Sequence, residues 1–139
     1  PKIIEFVKKH NLEKRVSLKG RLAHDEICFY YNACSILFHI GISGGLPNVI
    51  IEGIASQIPV IASKNNANSD YVNEELKTGI IIDPGNKKEL KNAITTIVEN
   101  SETFSGNIPE IIKEHSFEGF GEKLESIYKE SLDERKSLN

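Results

Sequence analysis

The chain has no methionine and no tryptophan, and its 139 residues include only two cysteines, Cys28 and Cys34. Two cysteines six positions apart, with no metal-ligand partners in sequence, exclude a disulfide framework and a zinc site. They read as reduced, packed thiols in a reducing, cytoplasmic compartment. Basic residues are not in excess: 17 Lys and Arg stand against 20 Asp and Glu, for a net charge of −3. With aromatics at 7%, no basic stripe with interleaved rings is present, so nucleic acid is not an expected partner. No signal-peptide pattern occurs, and no apolar run approaches the roughly eighteen residues a membrane helix needs. Peripheral membrane contact through a larger protein stays open. Repeats and low-complexity segments are also missing.

What is present suits one domain with a sizeable core, at 39% hydrophobic residues. The helical pattern begins at once, in Pro1-Lys2-Ile3-Ile4-Glu5-Phe6-Val7. A removed initiator Met would explain that start. So would a piece of a longer chain, and the latter is the expectation here. Ile3, Ile4, Val7 and Leu12 keep helical spacing, with Lys8, Lys9 and His10 where cations suit the helix dipole. Val16-Ser17-Leu18 is a brief strand signal closed by Gly20, and residues 23–33 read as a helix with Ile27, Tyr30 and Tyr31 on its apolar face. The run from Ser35 to Ile40 predicts a strand buried on both faces. Asn65 to Ser69 is turn-like, and Asp70 to Leu76 is at best a short helix. Gly79 to Ile82 reads as a strand, stopped by the turn Asp83-Pro84-Gly85-Asn86. An amphipathic helix follows over residues 87–99, carrying Leu90, Ala93, Ile94, Ile97 and Val98. Shorter helical signals cover 109–114 and 116–132, and 133–139 reads as a frayed tail. Strands alternating with helices imply a parallel sheet covered on both faces, with ligands beyond the carboxyl ends of the strands.

One stretch carries the functional signal, Gly44 to Ser63, reading GGLPNVIIEGIASQIPVIAS. Gly44 and Gly45 let backbone amides come close to a ligand, and Pro47 suits a first helical position. The positive end of the helix favours an anion there. Asn48, Glu52 and Ser56 fall four apart and form one polar stripe on an oily helix. That describes a phosphate seat with a carboxylate about a turn away, suited to a ribose. It equally describes a loop-capped core helix whose stripe meets water. The loop from Gly41 to Leu46 leaves the carboxyl end of the strand before it, where ligands of such sheets sit. Elsewhere, His10, His24, His39 and His115 form no metal or catalytic set. Asp70, Glu74 and Glu75 read as solvated acids, and Lys87-Lys88 as an exposed helix start.

The run Gly45-Leu46-Pro47-Asn48-Val49-Ile50-Ile51-Glu52-Gly53-Ile54-Ala55-Ser56, followed by Pro59 to Ser63, resembles the retaining glycosyltransferases of family 4 (glycosyl transferases group 1). Val16 to Gly20, Tyr30 to Ile36, Thr78 to Asn86, and Phe117 with Leu124 to Tyr128 agree in order, so the likeness spans about residues 1–130. It implies a GT-B architecture of two Rossmann-like halves around a cleft. This chain would be the C-terminal, donor-binding half, truncated at its N-terminus: an α/β, Rossmann-like three-layer sandwich over residues 1–132. The resemblance also implies that Glu52 accepts from the donor ribose hydroxyls and that amides at Leu46 and Asn48 face the diphosphate. Gly20 and Arg21 would line the base and phosphate side, although Arg21 also reads as an ordinary surface cation. No cofactor or metal is expected beyond the nucleotide-diphosphate sugar itself.

Two departures qualify this. The family places a glutamate eight residues before Glu52 to hold the transferred sugar, and here that position is Gly44. Ile40 and Gly41 likewise replace its usual Pro-Ser. The basic residues that neutralise the diphosphate, and the acceptor-binding N-terminal domain, would precede Pro1. The expected function is donor binding for sugar transfer to an acceptor hydroxyl, with this fragment inactive alone. The alternative is a noncatalytic homologue that binds a nucleotide or partner. A flavodoxin-like signalling domain is disfavoured by the lack of an acidic pocket with a phosphorylatable Asp. Without its first two strands the sheet should close up, leave a bare edge, or borrow strands; closing up or a homodimer is favoured.

Overall fold

The computed structural model describes residues 2–41, 47–104, 110–113 and 115–137. It forms two compact units, Pro1–Tyr30 and Tyr31–Asn139.

In the first unit, α1 (Lys2–Lys9) buries Val7 and is closed by Asn11 in the left-handed region (φ 54°). The Asn11 N–H returns to Lys8 O and the Leu12 N–H to Val7 O, the paired bonds of a Schellman cap. Val16 to Leu18 is not a strand. A strand is held by its ladder, and no partner pairs with this segment among the described residues. Helix α2 (His24–Ala33) starts where expected, because the Glu26 carboxylate accepts the Ala23 N–H at 3.0 Å. Cys28 and Cys34 are free but exposed, not packed.

In the second unit, β1 (Leu37–His39), α3 (Asn48–Ala55), β2 (Val60–Ser63), α4 (Asn66–Ser69), β3 (Gly79–Ile82) and α5 (Lys87–Glu99) build a parallel sheet of order β1-β2-β3. Helices α6 (Ser101–Phe104), α7 (Glu110–Lys113) and α8 (Phe117–Ser137) follow; α8 runs past the expected end near Leu132. Alternate residues of the strands feed two apolar clusters. Val60, Ala62 and Ile81 pack with Ile50 and Ile54 of α3, Val72, and Ile112 of α7. Ile61, Ile80 and Ile82 pack with Leu90, Ala93, Ile94 and Ile97 of α5 and Phe104 of α6. The sheet is thus covered on both faces, as the pattern of apolar strands requires. Val98, expected on the apolar face of α5, is instead 63% exposed.

Only β2 is buried throughout. β1 is an edge strand with a neighbour on one side among the described residues, and it is shorter than the apolar run predicted. Phe38, in register with Ile61, lies toward the α5 face and is 48% exposed, because α5 packs on β2 and β3. Among the described residues, no strand closes against the other side of β1. The segment after α4 is a set of turns, not a helix. The Thr78 hydroxyl donates to Tyr71 O, and the Leu76 N–H donates to the Asn73 side chain, so side chains take bonds a helix would need.

Candidate functional site

The carboxyl ends of β1 and β2 are tied together by polar side chains. Buried Ser63, the last residue of β2, donates its hydroxyl to Gly41 O, just beyond β1. Asn68, fully buried, donates Nδ2 to Ser63 O at 2.8 Å, and its own N–H goes to Asn65 Oδ1. This network holds the end of β1 from which the loop to α3 departs. Gly44, Gly45 and Leu46 lie outside the described residues.

Helix α3 begins after Pro47, which is the N-cap residue (φ −74°, ψ 133°) and not the first helical residue. Its extended ψ places it one step outside the helix. Pro47 offers no side chain to cap this end, and among the described residues none does, so the first amides of α3, at Asn48 and Val49, point out along the axis without intrahelical partners. Asn48 is exposed there. The other end of α3 is closed by Gln57 at φ 61°, with Gln57 N–H to Ile54 O and Ile58 N–H to Gly53 O.

Glu52 is half-buried in the second turn of α3. The Tyr31 hydroxyl, from the last turn of α2, donates to its Oε2 at 2.8 Å. The next residue, Gly53, is buried where a β-carbon would overlap Leu37 and touch Val60 at 3.6 Å. The missing side chain lets α3 settle close on β1 and β2, which sets the height of Glu52 above the sheet. Ser56 leaves the expected polar stripe: its hydroxyl donates to Glu52 O at 2.8 Å and serves the helix backbone.

The structure therefore places Asn48 and Glu52 on one helix whose N-terminus lies at the carboxyl side of the sheet. Gly20 (φ 68°) and exposed Arg21 belong to the first unit. Sequence reasoning missed three participants. Tyr31 was read as an apolar contact, and its phenol was the only hint that it could donate. Asn68 lies in the Asn65 to Ser69 segment, whose place after an apolar strand suits a weak contact to sugar or phosphate, but neither its bond to Ser63 nor that of Ser63 to Gly41 carried a signal in the sequence. Among the described residues, no group of three or more His, Cys, Asp or Glu could hold a metal ion, and no helix is long and apolar enough to cross a membrane.

The sequence model of the glycosyl transferases group 1 family matches residues 2–110. The chain belongs to that family. An uncharacterized glycosyltransferase of Methanocaldococcus jannaschii is 31% identical over 135 residues, which are 95% of this chain and 38% of that protein. Among solved structures, sucrose-phosphate synthase from Thermosynechococcus elongatus superposes with a TM-score of 0.79 at 25% identity, over 95% of this chain and 34% of that one. HepE of Anabaena, solved in complex with UDP-glucose, gives 0.64 at 26% identity, over 74% of this chain and 28% of that one. The chain thus spans less than two fifths of each of these relatives. Its fold is the Rossmann-like α/β half of a GT-B glycosyltransferase, and it fits the C-terminal domain.

Proposed function

We propose that this chain is the donor-binding part of a retaining glycosyltransferase that uses a nucleotide-diphosphate sugar. Glu52 accepts from the ribose hydroxyls, and the amides of Leu46 and Asn48, with the Gly44-Gly45 loop, face the diphosphate. Gly20 and Arg21 serve the base and phosphate side. The observation that carries this reading is the pairing of an α3 terminus that no described side chain caps with a half-buried carboxylate one turn along, fixed by Tyr31. A helix terminus favours a phosphate, and a carboxylate can only accept, which suits a diol. The binding of UDP-glucose by HepE supports the same ligand class. The free thiols Cys28 and Cys34 support a cytoplasmic setting.

In the transfer, the acceptor oxygen bonds to the anomeric carbon on the face from which the diphosphate departs, as that carbon's bond to the diphosphate breaks, so the configuration is retained. The nucleoside diphosphate leaves with the electron pair, and the acceptor's proton passes to its leaving oxygen. Cations and amides must stabilise the leaving charge. The chain offers amides and Glu52 but no identified acceptor site or basic clamp, so it binds donor without transferring it, and at Gly44 it supplies no carboxylate for the sugar. The same substitution favours the second reading, a noncatalytic nucleotide-binding homologue.

Titrating UDP, GDP and ADP against the wild-type chain and Glu52→Gln tests the site. One nucleotide should bind, about tenfold or more weakly to the variant, as expected for a hydrogen bond to a charged group. Equal affinities would remove Glu52 from the site. Sugar release from UDP-glucose by the chain alone would overturn the inactive reading.

A further inference from the structure

We infer that Tyr31 is a positioning residue for the nucleotide site, holding the Glu52 carboxylate so that Oε1 is the oxygen presented to the ribose diol. This deepens the reading above and rests on it. The Tyr31 hydroxyl engages Oε2 at 2.8 Å in a part-buried setting, across 21 positions of sequence. Tyr31 is 8% exposed, so its ring is fixed by packing and its hydroxyl is delivered by the fold. Among the described residues, no other group donates to the Glu52 side chain.

A glutamate on a helix has three side-chain torsions, and its terminal one is broad. One fixed donor on Oε2 removes that freedom and leaves Oε1 aimed. The close seat of α3 at Gly53 fixes the backbone from which the carboxylate reaches. Ordering the acceptor during folding spares that cost when a ligand arrives. Tyr31 touches no ligand in this scheme and acts through Glu52 alone.

The test compares UDP with 2′,3′-dideoxy-UDP on the full chain by calorimetry. Wild type should prefer UDP by about tenfold or more, and Tyr31→Phe should shrink that preference about threefold to tenfold, the range for one lost hydrogen bond. In a Glu52→Gln background, Tyr31→Phe should change the preference no further, because the two residues act as one unit. A merely structural role would lower both affinities together and leave their ratio intact. If Tyr31→Phe does not fold, 3-fluorotyrosine at position 31 keeps the ring and hydroxyl; its fluorine resonance should shift with UDP and not with the dideoxy analogue. Wild type that does not distinguish the two nucleotides overturns the nucleotide reading, and the inference with it. Wild type that distinguishes them, with Tyr31→Phe distinguishing them equally or the fluorine shifting equally with both, overturns this inference only.

Discussion

A β-carbon built on Gly79 would fall on the carbonyl oxygen of Val60, its register partner across β2 and β3. At φ 155° the Gly79 backbone also occupies a region closed to other residues. The Val60 N–H meanwhile bonds to Thr78 O, so the two strands cannot part there without losing their first rung.

Gly79→Ala should therefore cost about 3 kcal/mol or more, or prevent folding. Gly85 is the control, because its φ is also positive (87°) but nothing lies within 4 Å of its β-carbon. Gly85→Ala should cost only about 1–2 kcal/mol, the strain of the left-handed region. Urea unfolding of both variants measures the difference. Equal costs would mean that backbone strain, not the clash with Val60, makes glycine necessary at position 79.

Gly53→Ala sets two effects against each other. A helix interior gains about 0.5–1 kcal/mol from the exchange, but overlap with Leu37 costs about 1–3 kcal/mol. The net effect in the wild-type background is destabilising. In a Leu37→Val background the overlap is relieved and the same exchange should become neutral or stabilising. A double-mutant cycle followed by thermal melting reads the sign; additive effects would contradict the close seat of α3.

Asn68 is fully buried with Oδ1 unpartnered among the described residues, while Nδ2 bonds to Ser63 O. Asn68→Leu should cost about 1–3 kcal/mol through the lost bond. Asn68→Asp should cost more, since it removes the donor and leaves a charge with no group to meet it. Chemical denaturation at neutral pH separates the two, and an aspartate as well tolerated as leucine would mean a hidden donor faces position 68.

Both thiols should react with Ellman's reagent in the native state, because Cys28 and Cys34 are free and exposed. Reaction only after denaturation would restore the packed reading of the sequence.

Much of the fold was legible locally. Helix α5 follows from its period of apolar residues and from Asn86, whose side chain accepts the Lys88 and Glu89 N–H groups. The parallel sheet followed from unbroken apolar runs between helices. What escaped was non-local. Val16 to Leu18 has strand composition, but a strand exists only through its partner. The burial of β1 depended on which strands α5 would cover, which its own six apolar-rich residues cannot encode. Past α4, Asn73 and Thr78 bond to the backbone and draw the chain into turns. In the site, Glu52 stood out as one acid on an oily helix, whereas Tyr31 came from another helix and looked like core.

The free side of β1 also has a colloidal consequence. Among the described residues no strand pairs with the amides and carbonyls there, which are flanked by Phe38 and Ile40, 48% and 47% exposed, with no Lys or Pro between Ile36 and Gly41 to discourage pairing. Such a rim is a template for pairing with another copy of the chain. Phe38→Lys, a single gatekeeping cation on that rim, should raise the concentration at which light scattering first appears while leaving the melting temperature nearly unchanged.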